Sequence, residues 1–207
     1  MKRICYRKSL KNIKALSTVV TTLIILVISV LLATVVTYFA INVVSTRVQE
    51  ESLHITKHHI WHTGAITSAG NSSCASVMII NTGGRDIVLD KISVRGQECY
   101  WNQSGPPVRC VYFCRTTSTI AEDMPFPTGL MKYGGTFDSN VTIGSTNYTF
   151  TVATNDLILK SGWTLLIYVI NPDSISLNDI GLTIGLTIHT AQAMYYRETN
   201  VEAYFTT

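Results

Sequence analysis

The absence of charge and proline from one long stretch is the most informative property of this sequence. Neither a charged residue nor a proline occurs from Ala15 to Val44. A run of this length exceeds the about 20 residues that a helix needs to cross a bilayer. An isolated strand cannot satisfy its backbone hydrogen bonds in lipid, so we predict a helix here despite the many Val, Ile and Thr residues.

Acidic residues are missing from the first fourteen positions, which hold six of the 16 Lys and Arg residues of the chain. Basic residues that flank an apolar helix stay on the cytoplasmic side, so this cluster predicts the orientation of the helix. The remaining chain has 10 basic against 13 acidic residues and is mildly acidic. The overall positive charge therefore does not indicate a nucleic-acid partner.

An ordinary secretory signal is not present either. Such a signal has an apolar region of about 7–15 residues and a cleavage site after it. Here the apolar run is longer, and the junction of small residues, Lys14-Ala15-Leu16-Ser17, comes before it. An uncleaved signal anchor is the alternative interpretation.

Motifs of the common enzyme mechanisms are missing as well. The chain has no Ser-His-Asp order with a nucleophile elbow, no phosphate-binding loop and no metalloprotease motif. Asp86 and Asp90 have the spacing of residues on one face of a strand, where we expect them to face solvent. The sequence gives no support for an enzyme, and we expect no cofactor and no bound metal.

The start of the chain resembles a class III signal peptide. A basic stretch, then Lys14-Ala15, then Leu16-Ser17-Thr18 opening an uncharged helix, is similar to the signals of archaeal type IV pilins and the related archaellins. In that family a membrane peptidase cuts on the cytoplasmic side and the helix stays on the mature protein. The resemblance implies a cut between Ala15 and Leu16.

This resemblance also implies a division of the chain into three parts. Residues 1–15 would be a cleaved leader, residues 16–50 a hydrophobic helix that serves as membrane segment and filament core, and residues 51–207 an extracellular domain. Bacterial pilins usually carry a glutamate early in the mature helix, whereas this chain has Val20 at that place. The departure favours the archaeal branch of the family.

The function that follows from the resemblance is that of a structural subunit, a pilin, of an extracellular pilus for adhesion or surface attachment. Its partners would be other pilin subunits, a prepilin peptidase, an assembly platform with its ATPase, and the membrane before assembly. Two alternatives stay open. One is an archaellin of the swimming filament, and the other is a monomeric, membrane-anchored extracellular module that binds sugar or peptide.

Small residues recur at helical spacing within the apolar run. Spacings of three, four and seven place residues on one face of a helix, and small residues let neighbouring helices approach closely in an apolar environment. We predict that this stripe packs in the filament core and that the larger Leu26, Val30 and Leu31 lie off it. The stripe consists of Thr18, Thr22, Ser29, Ala33, Thr37 and Ala40.

After the helix the pattern changes to alternation with period two. The clearest case runs from Ile180 to Ile188, where apolar residues alternate with Gly and Thr, as in a strand with one buried face. Together with the turn signals between the strands, this predicts an α+β fold in which an antiparallel, Ig-like β-sandwich follows the long helix. Further predicted strands are Val77–Ile80, Ile87–Val94, Tyr148–Val152, Leu165–Ile170 and Val201–Phe205.

Three features are predicted between these strands. Asn81 to Gly84 is typical of a hairpin connection. Ser161-Gly162 and Asn171-Pro172-Asp173 are turn signals. The segment from Ala121 to Gly135 is the best candidate for a long surface loop.

Four cysteines, Cys74, Cys99, Cys110 and Cys114, lie beyond the leader, which contains Cys5. An even number of cysteines in an extracellular domain predicts disulfides, and four cysteines allow three connectivities. A zinc site is the competing interpretation. It is disfavoured because the chain lacks paired Cys-x-x-Cys units and has no histidine between Cys74 and Cys114.

Four sequons for N-glycosylation also lie beyond the apolar run. They begin at Asn71, Asn102, Asn140 and Asn147. Such triplets occur by chance in chains rich in Ser and Thr, but turn-rich surroundings favour a glycosylated external surface.

Four histidines, His54, His58, His59 and His62, are close together just after the helix. On a helix, three of them would share a face and be able to bind a transition metal. We favour the interpretation that the chain has already begun its first strand here, which separates the side chains, and that these histidines are solvated polar residues near the filament surface.

Overall fold

The computed structural model describes residues 9–64, 70, 72–103, 108–132 and 137–205. The chain divides into two units, residues 1–48 and residues 49–207. The first contains a long apolar helix and the second is mostly β. The coarse prediction of a long N-terminal helix followed by a β domain is therefore confirmed.

Helix α1 extends over Ser9–Gln49. It contains neither glycine nor proline, the two residues that most often end or bend a helix. It begins before the end of the predicted leader, so Lys11 and Lys14 lie in the same helix as the apolar run. All side chains from Leu16 to Thr46 are exposed.

Eleven strands of the described chain form one sheet. Its order is β10-β3-β12-β13-β1-β2-β11-β6-β5, with β4 beside β3 and β9 beside β6, and β7 and β8 form a separate hairpin. A 3₁₀ turn lies at Leu177–Asp179. The strands are β1 Leu53–His62, β2 Ser73–Asn81, β3 Ile87–Val94, β4 Gln97–Glu98, β5 Asn102–Gln103, β6 Arg109–Thr116, β7 Asn140–Ile143, β8 Thr146–Thr149, β9 Thr151–Val152, β10 Leu157–Leu159, β11 Thr164–Ile170, β12 Thr183–Thr190 and β13 Met194–Ala203.

The sheet is curled into an open half-barrel, and the predicted Ig-like sandwich of two separate sheets is not confirmed. The connecting pair is β1 with β13, which run parallel where Ile60, Trp61 and His62 pair with residues 201–203. All other pairs in the described chain are antiparallel. This parallel contact joins what would otherwise be two sheets.

Apolar residues cover both faces of the sheet. We call the cluster on the concave side the inner core; it includes Ile60, Val77, Leu89, Leu165 and Ile188. The cluster on the other side, the outer core, is formed by β2, β6 and β11 together with residues 120–150, and it includes Met78, Tyr112, Met124, Val141 and Tyr168. Because β11 is covered on both faces, all seven of its residues are buried.

A β-bulge interrupts β1. The pairing with β2 shifts by one residue between Thr56 and His59, so Lys57 and His58 together face one residue of β2. Lys57 has a φ of 51°, a backbone conformation that is uncommon for a non-glycine residue. Bulges of this kind add one residue to one strand and change which side chains face the core.

The bulge reverses the alternation of β1. Leu53 and Ile55 lie in the inner core before it, and Ile60 lies there after it. His59 and Trp61 consequently face the other side of the sheet.

Several predicted strands are confirmed with changed ends. Ile87–Val94 is β3 as predicted, and Leu165–Ile170 lies within β11. The strand predicted for Tyr148–Val152 is split between β8 and β9, and Val201–Phe205 covers only the end of β13. The strand predicted from Ile180 begins only at Thr183 because Gly181 lies in a turn with a φ of 85°.

The predicted hairpin at Asn81 to Gly84 is wrong, because β2 and β3 do not pair with each other. Instead the loop is fixed to the start of β1, since the backbone N–H groups of Thr82 and Gly83 both donate to Ser52 O. A Cβ on Gly83 would lie only 2.8 Å from Glu50 O and 2.9 Å from Ser52 N, so the close approach requires glycine. The turn signals at Ser161-Gly162 and at Asn171 are confirmed as turns after β10 and β11.

The predicted surface loop from Ala121 to Gly135 is free of strands as far as Lys132, and residues 133–136 lie outside the described residues. It is not merely a surface segment, because Met124, Leu130 and Met131 are buried in the outer core. Tyr168 Oη donates to Pro125 O at 2.8 Å and so fixes the segment to β11.

Candidate assembly segment and external sites

The segment Leu16–Thr46 is the first candidate for function. It has 31 residues and a mean hydropathy of 2.9, and none of it is buried within the chain. At 1.5 Å per residue it is about 46 Å long, compared with about 30 Å for the hydrocarbon core of a bilayer. By length and composition it is able to cross a membrane, as an anchor or as a signal sequence.

The hydroxyl groups on this helix are largely compatible with an apolar environment. Six of them donate to the backbone carbonyl three or four residues earlier, so they bring no unsatisfied donor into lipid or into a helix bundle. These six are Thr21, Thr22, Ser29, Thr34, Thr37 and Thr46.

The predicted processing site lies inside helix α1. Lys14, Ala15 and Leu16 are all helical in backbone conformation. The junction is therefore not marked by a break in the chain, and the predicted cut after Ala15 rests on the residue pattern alone.

The small-residue stripe needs a correction. Thr18, Thr22, Ser29, Ala33, Thr37 and Ala40 are all helical and exposed. Leu26, however, lies four residues after Thr22 and three before Ser29, so in a regular helix it shares their face. It is exposed to 63% and interrupts the stripe, contrary to the expectation that it lies off it. Ala33, Thr37 and Ala40 are the small residues after Ser29, and Val36, three residues after Ala33 and four before Ala40, shares their face as well.

The four cysteines are free thiols in the structure, so the predicted disulfides are absent from it. Ile170 pairs with Cys74 on one side and Cys110 on the other, which separates these cysteines by two strand spacings, about 10 Å. A disulfide requires Cα atoms about 4.4–6.8 Å apart. Cys99 lies in the inner core, whereas the other three belong to the outer core or pack against it.

Burial also disfavours the thiolate form of these cysteines. It raises the pKa of Cys99 to about 12 and that of Cys110 to about 11, and it raises the pKa of Cys74 well above the ordinary value. Because the thiolate is the nucleophile and the metal ligand, the described cysteines are suited to packing.

Three of the four sequon asparagines lie in described parts of the chain. Asn102 is exposed in β5, and Asn140 and Asn147 are exposed in the β7–β8 hairpin. Asn71 lies outside the described residues. The exposed asparagines meet the steric requirement for modification.

The two sequons of the hairpin face each other. Asn140 pairs with Thr149, and Thr142 pairs with Asn147, so each asparagine lies opposite the threonine of the other sequon. Thr149 Oγ1 donates to Asn140 Oδ1 at 2.8 Å. The alternate residues Val141 and Ile143 are buried in the outer core, which leaves both asparagines on the exposed face.

The histidines lie on strand β1, as the favoured interpretation has it. The expectation that they are solvated is wrong for His62, which is buried. His59 is the one with the most partners. Its Nε2 lies 3.0 Å from Asp123 Oδ1 and its Nδ1 lies 3.1 Å from Glu202 Oε1. Trp61 Nε1 donates to the other oxygen of Glu202, and the rings of His59 and Trp61 are stacked at 5.1 Å. We call these residues the His59 cluster.

The carboxylates change the acidity of His59. Burial lowers the pKa of His59, but the hydrogen bonds and charges of Glu202 and Asp123 outweigh burial and raise it above the ordinary value. For Asp123, burial acts to raise the pKa, and the hydrogen bond and charge of His59 outweigh it and lower the pKa. The cluster holds residues 120–126 and the end of β13 against β1.

Sequence reasoning missed this cluster. Asp123 and Glu202 are far from His59 along the chain. The parallel β1–β13 pair brings Glu202 to His59, and the packing of the segment around Met124 on the outer core brings Asp123 there. The described residues contain no group of three or more His, Cys, Asp or Glu side chains arranged to hold a metal ion. Asp86 accepts a hydrogen bond from the Ser161 N–H, which is a structural role at a turn.

No family model matches the chain, and no curated protein matches it. The residues of the chain, and above all those of helix α1, therefore carry the assignment of function.

Proposed function

We propose that this chain is the subunit of an extracellular archaeal filament of the type IV pilus class, which polymerises through helix α1. The observation that carries the proposal is the exposure of the whole segment Leu16–Thr46, which has no charge from its start to Val44. Such a surface requires lipid or other apolar helices around it.

The length of the segment favours a filament over a simple anchor. The apolar part exceeds the hydrocarbon core of a bilayer by about 16 Å. Exposing apolar surface to water costs about 25 cal/mol per Å². Extraction of this helix from the membrane is therefore coupled to its burial among the helices of other subunits.

The remaining features fit the same function. A prepilin peptidase would cut between Ala15 and Leu16, an assembly platform with its ATPase would extract the subunit, and the exposed sequons would lie on the outside of the cell. Adhesion or surface attachment is the activity of such a filament.

Mass spectrometry and electron microscopy of material sheared from native cells test the proposal. We expect filaments whose subunit begins at Leu16. An intact Met1 terminus, or a terminus beyond Thr46, would contradict the pilin assignment. Protein that stays with the membrane after shearing would favour the monomeric, membrane-anchored binding module.

A substitution in the stripe tests the role of the helix. Ala33→Leu enlarges the small part of the stripe, and overpacking costs about 1–3 kcal/mol at each site. We expect fewer filaments and more membrane-retained subunit, with an unchanged β domain. Val35→Leu, an enlargement on another face of the same helix, is the matched control and is expected to assemble. Normal assembly of both Ala33→Leu and Ala33→Asp would contradict helix packing.

A further inference from the structure

A polar groove lies beside one of the two hairpin sequons. One of its walls is the segment 125–129, and the other is formed by Asn140, Val141 and Thr142 of strand β7. Its volume is about 260 Å³. This is close to the lower end of the about 300–1,000 Å³ of sites for small ligands, so the groove has room for a group as small as a sugar ring. We call it the sequon groove.

The fold holds the two sides of the sequon groove in place. Before the hairpin begins, the Asp138 N–H donates to Gly129 O at 3.2 Å. At the tip of the hairpin, Gly144 approaches Glu122 so closely that a Cβ on the glycine would lie 2.7 Å from Glu122 Cδ. These two contacts fix the hairpin against the segment 120–132, so the groove exists before any ligand binds.

Asn140 is oriented in its wall by two hydrogen bonds. Its Nδ2 donates to Asp138 Oδ1 at 3.0 Å, and its Oδ1 accepts from Thr149 Oγ1 at 2.8 Å. An asparagine amide has two N–H groups, so one of them has no partner in the described chain. Replacement of that hydrogen by a sugar preserves both bonds. Because these bonds fix the amide, they also fix the direction in which an attached sugar leaves it.

The lining of the sequon groove suits a sugar ring. Thr128 on one wall and Thr142 on the other are exposed, and neither hydroxyl makes a hydrogen bond within the described residues. Beside them, Pro125 and Phe126 present half-buried apolar surface. A small-molecule site typically combines apolar surface with a few polar groups that fix orientation. A sugar has an apolar ring face and hydroxyl groups at its edge, which match this combination.

The second hairpin sequon differs in each of these respects. Asn147 does not line the groove, and its side chain makes no hydrogen bond to any described residue. The hydroxyl that completes its sequon, on Thr149, is donated to Asn140. The fold therefore prepares Asn140, and not Asn147, to hold a sugar in a defined position.

We propose that Asn140 carries an N-linked glycan whose first sugar lies in the sequon groove and fixes the segment 125–129 to strand β7. The inference rests on that part of the proposed function which places the β domain outside the cell. In the modification, Asn140 Nδ2 forms a bond to the anomeric carbon of a glycosyl phosphate donor and loses one proton. The bond from that carbon to the phosphate oxygen breaks, and the phosphate leaves with the electron pair. The Thr128 and Thr142 hydroxyls then bond to the sugar.

Three variants of the full-length chain, made in the native host, test this assignment. Thr142→Val removes the sequon but leaves Asn140 and both of its hydrogen bonds in place. Thr142→Ser keeps the sequon and the hydroxyl. Asn147→Gln removes the other hairpin sequon and is the matched control. Peptide mass spectrometry measures whether Asn140 is glycosylated, and hydrogen exchange measures how firmly the segment 125–132 is held.

The expected results follow the presence of the sugar. We expect a glycan on Asn140 in the wild-type chain, in Thr142→Ser and in Asn147→Gln. In these chains the segment 125–132 should exchange about threefold to tenfold more slowly than in Thr142→Val. The wild-type chain made in a host without N-glycosylation should exchange as fast as Thr142→Val, which separates the effect of the sugar from that of the lost hydroxyl.

The outcomes separate this inference from the proposed function. Filaments whose subunit begins at Leu16 and has no sugar on Asn140 would overturn the inference and leave the proposed function intact. A glycan on Asn140 whose absence leaves the exchange of the segment 125–132 unchanged would also overturn it. Membrane-retained protein that forms no filaments, but has the glycan and the slow exchange, would support the inference and contradict the proposed function.

Discussion

Helix α1 and the β domain differ in whether their apolar side chains are buried within the chain. Every side chain from Leu16 to Thr46 is exposed within the chain, whereas the β domain encloses apolar clusters on both faces of its sheet. The domain therefore has its own core, whereas the helix needs apolar surroundings that the described chain does not supply. We therefore expect the β domain to fold alone and the helix to be stable only in a membrane or an assembly.

Removal of the helix is expected to have the largest effect. A chain of residues 49–207 keeps both cores, so we expect it to be soluble without detergent and to unfold cooperatively on heating. The full-length chain should require detergent, because the apolar surface of about 30 residues is otherwise in water. Circular dichroism and light scattering in detergent-free buffer measure both properties. Aggregation of the 49–207 chain would show that its core depends on the helix.

Truncation of one leucine in each region tests whether the stability of the β domain is independent of the helix. Leu165 is fully buried in β11, and its replacement by alanine should lower the free energy of unfolding of the domain by about 2–5 kcal/mol. Leu31 is 59% exposed on the helix, and Leu31→Ala should leave that free energy unchanged. Urea titration of both variants in detergent, followed by tryptophan fluorescence, compares them. Equal effects would contradict the independence of the two regions.

The His59 cluster gives the smallest of the expected effects, and it depends on pH. Because the pKa of His59 is raised on folding, its contribution is full below the unfolded value of about 6.5 and is lost as pH rises through the folded value. The lowered pKa of Asp123 adds a contribution that is lost as pH falls below about 4. We expect His59→Gln to destabilise the domain more at pH 6 than at pH 8.5.

The size of this difference is limited by solvent. Asp123 and Glu202 are 64% and 49% exposed, so we expect less than about 1 kcal/mol. Thermal unfolding at the two pH values measures it. His54→Gln, an exposed histidine of the same strand, is the control. A difference that is the same for both variants, or larger at pH 8.5, would show that the ion pairs of His59 do not stabilise the fold.

The sequence predicts those parts of the fold that depend on local pattern. The helix follows from the absence of charge, and β3 and β11 follow from short apolar runs between turns. The Asn81 to Gly84 loop was mispredicted because its turn residues are also those of a hairpin, whereas the chain crosses to a different part of the sheet. Strand β6 was missed because its cysteines and arginines mask the alternation.

The candidate sites divide in the same way. The sequons, the small-residue stripe and the processing junction are short patterns that the sequence displays directly. The His59 cluster joins His59 and Glu202, more than 140 positions apart, through a parallel strand pair. No local sequence pattern predicts such a contact. For the cysteines the error is the opposite, because a contact was predicted that the structure does not contain. An even number of cysteines predicts disulfides, but the register of β2, β11 and β6 keeps Cys74 and Cys110 apart.

The bulge at Lys57 and His58 has a consequence for how the chain tolerates change. On one side of it odd-numbered residues face the inner core, and on the other side even-numbered residues do. The bulge absorbs one extra residue, so the direction of the later side chains depends on the number of residues in the segment and hardly on their identity. Deletion of Lys57 or His58 would restore strict alternation and leave Ile60 facing the inner core, whereas loss of the bulge without a deletion would turn Ile60 away from it. In the evolution of this domain, β1 should therefore tolerate the loss of one residue at this position as well as new side chains.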